Sequence, residues 1–188
     1  MPAVSNARTV PGFGLPDRPP ESVSKDDFLS AMRQAASLVS VITVCDGHER
    51  MALTVSSFLS VSAEPPMISV CINRKSRMCD AVTARGRFAV NVLASDQDHV
   101  ADVFAGRPRS GDAYDFDCCE WLDQGPHQDA LIADASVAMR CSVVSGIDVG
   151  SHRLFIGGVE TLRTSGSRPL LYWNRLYGFP TTTANAGA

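Results

Sequence analysis

The six cysteines (Cys45, Cys71, Cys79, Cys118, Cys119, Cys141) form no CxxC pair, and the four histidines (His48, His99, His127, His152) form neither HExxH nor a paired-finger spacing. A zinc centre therefore has no ligand framework, and none is assigned. No G-x-S-x-G elbow, paired-carboxylate spacing or Ser/His/Asp arrangement is present, so nucleophilic hydrolysis has no machinery. No apolar run approaches the roughly 18 residues of a membrane span, and the first residues lack the order of a secretory signal. The chain is accordingly read as cytoplasmic, with no membrane partner. Positive charge is not in excess either: 17 Lys and Arg against 20 Asp and Glu give a net charge of −3. That disfavours binding to nucleic acid by phosphate neutralisation.

What is present is one domain's worth of core. The 188 residues are 45% hydrophobic and 20% charged, which suits a single soluble globular unit. Residues 1–22 carry five prolines and little periodicity and read as an extended arm; 180–188 read as a loose tail; residues 23–179 are expected to hold the domain. The Gly-Phe-Gly at 12–14 follows no strand and is no dinucleotide fingerprint. A helix is expected over 25–36, capped by Ser24 with Val23 and Phe28 as a staple. Strand patterns follow at 38–45, 52–62, 67–73, 87–93, 136–145, 153–162 and 169–173, the first two joined by a polar turn around Asp46 and Gly47. Short helices are expected from Ser76 to before Gly86, and from a Ser95 cap to near Gly106. Seven short strands with few helices lack a βαβ rhythm and indicate a mainly β fold, an antiparallel barrel or sandwich. Cys45, Cys71 and Cys141 sit in apolar runs and read as small core hydrophobes.

One segment departs from an ordinary barrel. Read as a single strand, residues 53–62 present Leu53, Val55, Ser57, Leu59 and Val61 on one face and Thr54, Ser56, Phe58, Ser60 and Ser62 on the other. A solvated strand face usually carries Lys, Glu or Arg, whereas this one offers hydroxyls and a ring. The pattern suits either an interface or a ligand with oxygen and nitrogen edges. The next strand ends in Asn73-Arg74-Lys75-Ser76-Arg77 at a helix start, where cations, a hydroxyl and free N–H groups fit a phosphate. Together they describe a phosphorylated heteroaromatic ligand, a description that a flavin meets.

At this point the residues resemble a known family. The stretches FLSAMRQAASLVSVITV, LTVSSFLSVSAEPPMISVCINRKS, GRFAVNVLASDQ followed by FAG, GSHRLFIGGV and PLLYWNRLY occur in the order found in the flavin reductase family, the small reductase components of two-component flavin monooxygenases, and cover residues 26–178. The resemblance implies an antiparallel Greek-key split β-barrel of the FMN-binding type, a homodimer with flavin near the subunit interface, and reduction of FMN or FAD by NADH or NADPH for release to a partner oxygenase. A barrel of about 150 residues has little room for a deep pocket of its own, which agrees with an interface site. Position by position, the family pattern puts Thr54, Val55, Ser56 and Ser57 along the flavin, and Cys71, Ile72 and Asn73 on the following strand as backbone partners. Ser76 and Arg77 fall at the phosphate, Ala89 and Asn91 at flavin contacts, Tyr177 over the cofactor region, and His152 beside the nicotinamide. Two positions depart: Ala52 stands where the family has glycine, and Ser151 where a Gly-Asp-His motif has its carboxylate. His152 is therefore assigned to positioning rather than acid catalysis.

Hydride transfer between stacked rings needs no protein nucleophile. Two other readings stay open on sequence alone. One is a split-barrel module that holds its ligand without turnover; the other is an enzyme-held flavin that reduces a different acceptor. The aromatic and cysteine stretch at 114–121 is expected to be a loop packing its rings on the barrel.

Overall fold

The computed structural model describes residues 23–46, 49–122 and 129–181. The N-terminal arm, the Gly47–His48 part of the first hairpin turn and nearly all of the expected tail lie outside the described residues. The chain divides after Met32 into two compact units. The first contributes helix α1 (Lys25–Met32), where Ser24 Oγ accepts from the Asp27 N–H at 3.1 Å as a cap. None of its residues is buried, and Val23 and Phe28 are both exposed. The helix stops four residues short of expectation.

The second unit is the β domain. A small sheet joins β1 (Ser37–Leu38), β9 (Leu171–Trp173) and β10 (Leu176–Gly178). The main sheet holds β2 (Ser40–Asp46), β3 (Glu49–Val55), β4 (Leu59–Ala63), β5 (Pro66–Asn73), β6 (Arg87–Val92), β7 (Val137–Val149) and β8 (His152–Thr164). Its order is β3-β2-β6-β7-β8-β5-β4, and every pairing is antiparallel. Three helical pieces complete it: α2 (Arg77–Arg85), α3 (Asp98–Phe104) and a 3-10 turn at Phe116–Cys118.

The strand order forces curvature. β3 and β4 are consecutive in the chain yet stand at opposite edges of the sheet. Laid flat, those edges would be six strand spacings apart, about 29 Å. The link from Val55 to Leu59 reaches at most about 15 Å. The sheet must therefore curl until its edges meet, and the result is a split barrel whose seam carries no strand ladder. The expected single strand over 52–62 is thus two strands on two edges, and its alternation breaks at 56–58. Ser57, in the link at the seam, continues the β4–β5 pairing through its side chain: its Oγ accepts from the Cys71 N–H at 2.9 Å and donates to the Cys71 carbonyl at 3.0 Å.

Both faces of the central strands β2 and β6 are buried, which explains their near-continuous apolar runs. One cluster holds Ile42, Val44, Val70, Ile72, Phe88 and Phe155 beneath α2; the other holds Val41, Ala89, Leu93, Leu131, Ile132 and Leu170 against α3. Consecutive residues of β2 and β6 fall into opposite clusters, as period-two alternation requires. Cys45 and Cys141 are buried as expected, and burial pushes the Cys141 thiol up to about 12. Gly157 is required by close approach, since a Cβ there would meet the Phe88 ring at 2.7 Å.

Helix limits follow local bonding. α2 has Ser76 as its N-cap, accepting from the Met78 N–H at 3.2 Å, and Gly86 at φ 64° as its stop. α3 begins at Asp98, which leaves Gln97 at the cap position without a side-chain cap bond and Ser95 two residues ahead of it, where its N–H donates to the Arg168 carbonyl at 2.8 Å. Strands β7 and β8 run longer than their patterns suggest, and β10, only three residues, carries too little periodicity to be recognised.

Removing the seam hydroxyl tests this architecture. Ser57→Ala is expected to lose about 1–3 kcal/mol of unfolding free energy, since two backbone groups of Cys71 lose their partner. Ser56→Ala, at an exposed neighbour, is expected to stay within about 0.5 kcal/mol. Urea denaturation of both variants checks the difference, and equal losses would show that the seam does not depend on Ser57.

Candidate flavin site

At the seam, β3, β5 and the β7–β8 hairpin enclose a cavity of about 600 Å³. Its walls include Thr54, Val55, Ser56 and Ser57 from the end of β3, and Cys71, Ile72 and Asn73 from the end of β5. His152, the first residue of β8, completes it opposite Asn73 in the ladder. Eight of the sequence-derived positions, separated by up to 98 residues, therefore meet around one space.

These side chains differ in what they leave free. Ser56 is exposed and its hydroxyl has no protein partner among the described residues. Thr54 Oγ1 donates to the Ala101 carbonyl at 2.8 Å and anchors β3 to α3. Cys71 has both main-chain groups bound by Ser57, so it serves the seam rather than offering a free edge. Ile72 is buried in the core and reaches the cavity wall from there. The outer edge of β3 has no strand neighbour, which leaves a row of main-chain donors and acceptors for another occupant. Leu53, Val55 and Leu154 supply the apolar part of the wall.

His152 is exposed, and its Nδ1 lies 2.9 Å from Ser151 Oγ. The serine that replaces the family's carboxylate thus still engages the ring, through a neutral hydrogen bond. The hairpin carrying it is tied down by Asp148, which takes both Arg153 (2.6 Å) and Arg74 (3.4 Å). Hydrogen bonding to Arg153 holds the Asp148 carboxyl below the usual carboxylate range. Arg74 is consequently committed to the hairpin, and its N–H donates to the Ser151 carbonyl at 3.0 Å.

Ser76 and Arg77 do not line this cavity. They open into a neighbouring one of about 510 Å³, where Arg77 pairs with Glu49 at 2.8 Å. Tyr177 lines a third space of about 380 Å³ together with Thr54, Val55 and Ser56. Its hydroxyl donates to Asp102 at 2.7 Å, and burial together with that bond holds its pKa above the usual tyrosine range, so the phenol stays protonated. Ala89 and Asn91 are not brought to any of these spaces. Both have no exposed surface. The Asn91 amide donates to the carbonyls of Val41 and Ala130 and accepts from the Ile132 N–H at 2.8 Å, so it pins residues 130–132 onto the sheet.

The model of the flavin reductase like domain matches residues 32–180 of this sequence. The chain belongs to that family. This flavin reductase-like chain is 36% identical over 170 residues to the reductase component of FADH(2)-dependent resorcinol hydroxylase from Rhizobium sp. (strain MTP-10005), a match covering 88% of the chain and 92% of that relative. It is 35% identical over 159 residues to an FMN reductase (NADH), RutF 2, of Methylorubrum extorquens (strain PA1), covering 84% and 91%. Among solved structures, the flavin reductase PheA2 in its native state superimposes with a TM-score of 0.76 at 29% identity, covering 85% of this chain and all of that one. The split barrel expected for a flavin reductase is thus the fold observed.

Sequence reasoning missed Leu53, Val149 and Leu154 as cavity walls. They look like ordinary strand apolars, and only the seam exposes them. It also left Arg50 and Glu49 unassigned, because their strand was taken to begin at residue 52.

Proposed function

We propose that this chain is an NADH-dependent flavin reductase that supplies reduced flavin to a separate oxygenase component, and that its reaction takes place in the cavity of 600 Å³ at the seam. The observation that carries this reading is the meeting of residues 54–57, 71–73 and His152 around that one cavity. The walls suit a flavin on their chemistry: an unpartnered hydroxyl at Ser56, an open strand edge, and apolar side chains in the same space. Bound there, a flavin supplies a two-electron acceptor for the nicotinamide hydride.

The chain's own residues bind, orient and exclude water. Ser56 and the outer edge of β3 hold the polar rim of the ring system. Leu53, Val55 and Leu154 keep water from the reacting faces. Arg77 and Ser76, at the border of the neighbouring cavity, hold the phosphate. His152, engaged by Ser151 at Nδ1, leaves Nε2 to fix the nicotinamide for stacking. We further place the chain in a homodimer. Leu59, Val61, Val144, Ile147, Val149 and Leu162 are large apolar residues with 49–64% of their surface exposed, on β4, β7 and β8. So much exposed apolar surface on one sheet is what a subunit interface covers. Light scattering is expected to give twice the mass of the chain, and a monomer at micromolar concentration would remove this assignment.

Anaerobic stopped-flow mixing with NADH tests the activity itself: bound flavin is expected to bleach, and flavin that binds without bleaching overturns the reductase reading. His152→Ala is expected to slow that bleaching on the order of tenfold, about 1.4 kcal/mol, while flavin affinity moves less. An unchanged rate would take His152 out of the site. Arg77→Ala is expected to weaken FMN about three- to tenfold and leave riboflavin nearly unaffected, because only FMN carries the phosphate. Equal losses in a binding titration would exclude the phosphate contact.

A further inference from the structure

Residues 114–121 carry chemistry that the reductase reading leaves unused, a pair of neighbouring thiols. Cys118 ends the 3-10 turn Phe116–Cys118, and Cys119 follows it in extended backbone at φ −152°. Both are half-buried and free, whereas Cys45, Cys79 and Cys141 are buried. Their side chains hydrogen-bond to each other, and the Arg50 guanidinium lies near enough to Cys119 to favour its thiolate. Burial outweighs that pull and holds both thiols above the usual cysteine range, so the pair is protonated at neutral pH and answers to accumulated rather than passing peroxide.

A change between these two residues reaches the phosphate side of the flavin. Trp121 Nε1 donates to the Phe116 carbonyl at 2.7 Å, a bond that brackets the pair. The Phe116 and Trp121 ring centroids lie 5.3 Å apart, and the Arg50 guanidinium sits 4.6 Å over Phe116. His99 Nε2 lies 3.2 Å from the Cys118 carbonyl. Phe116 and Arg50 also line the cavity of about 510 Å³ that Ser76 and Arg77 face. Neighbouring Cα atoms are about 3.8 Å apart, closer than the roughly 4.4–6.8 Å of ordinary disulfides. A disulfide joining Cys118 to Cys119 is therefore strained. It turns the peptide between them, takes the Cys118 carbonyl from His99, moves Phe116 and Arg50, and is readily reduced again.

We propose that Cys118 and Cys119 form a reversible, peroxide-sensitive switch that lowers flavin affinity when oxidised. The switch rests on the reductase reading, because reduced flavin that meets O2 instead of an oxygenase gives it two electrons and two protons and yields hydrogen peroxide. The Cys118 thiolate attacks one peroxide oxygen and the O–O bond breaks, which leaves a sulfenic acid and a hydroxide that takes the thiol's proton and departs as water. The Cys119 sulfur then displaces the Cys118 hydroxyl, which departs with the Cys119 proton as a second water. Treating the full chain with hydrogen peroxide, mapping it by mass spectrometry and titrating it with FMN by fluorescence tests the switch. The peptide spanning residues 118 and 119 is expected to lose about 2 Da and its reactivity to alkylation. FMN is expected to bind about three- to tenfold more weakly until dithiothreitol restores it. Cys118→Ser and Cys119→Ser are expected to keep the untreated affinity and lose the response, and the wild type with and without reductant reads even if either variant fails to fold. Peroxide that leaves both thiols free, that stops at a sulfinic acid, or that links them without weakening FMN overturns the proposal, while NADH-dependent bleaching leaves the reductase reading standing. A response that persists in both serine variants gives it to another cysteine and overturns it equally. Reduced protein that binds FMN but never bleaches with NADH overturns the reductase reading, and the switch with it, since its oxidant is lost.

Discussion

Where the chain passes from β3 to β4, a side chain acts as a strand. Seven antiparallel strands curl until β3 and β4 face each other, yet no ladder joins those edges. Instead, the Ser57 hydroxyl accepts from the N–H of Cys71 and donates to its carbonyl, the two contacts that a neighbouring strand would make. A main-chain ladder across the same gap would have filled the seam with backbone. A side-chain contact there leaves room beside it, and the cavity containing His152 lies alongside. The three residues between β3 and β4 are short because the crossing is short.

The hairpin bearing His152 is positioned by similar economy. β8 pairs with β5 from Met67 to Asn73 and with β7 along its whole length, which places His152 opposite both Asn73 and Val149. Asp148 then gathers Arg153 and Arg74 at the hairpin end. These pairs are substantially exposed and add little stability. Their consequence is positional: Arg74 is drawn away from the phosphate side and spent on the hairpin, so Arg77 becomes the basic residue facing the cavity past Leu53. Arg74 and Arg77, three residues apart in the sequence, thus have different tasks, decided by which carboxylate lies within reach.

Legibility in the sequence followed the range of the interaction involved. Local signals were read correctly: Ser76 as a cap, Gly86 as a stop, and strands at 67–73 and 87–93, observed as β5 and β6. The aromatic stretch does pack its rings on the barrel, with Phe116 and Trp121 against Phe104. The errors cluster where a distant partner competes. Ser95 makes a good cap by type, but it is bonded to the distant Arg168 carbonyl and the helix starts beyond its reach, at Asp98. Asn91 belongs to the family's flavin pattern, yet its amide is consumed by residues 41, 130 and 132. Residues 53–62 alternate like one strand because both halves do, and the alternation itself holds no mark of the turn at 56–58.

The sequence by itself determined that the chain is mainly β, and it nominated the hydroxyls, cations and histidine of the candidate site. These are properties of residue type and of spacing within one element, set by interactions a few residues long. Only the tertiary structure decided that Ser57 pairs with the main chain of Cys71 while Ser56 beside it stays free. It alone separated Ser76 and Arg77 from the cavity of His152, and placed Arg50 and Phe116 beside them. The physical reason is the curl of the sheet: meeting edges bring residues 49–57, 71–78 and 114–116 together, and no local pattern encodes which edges meet.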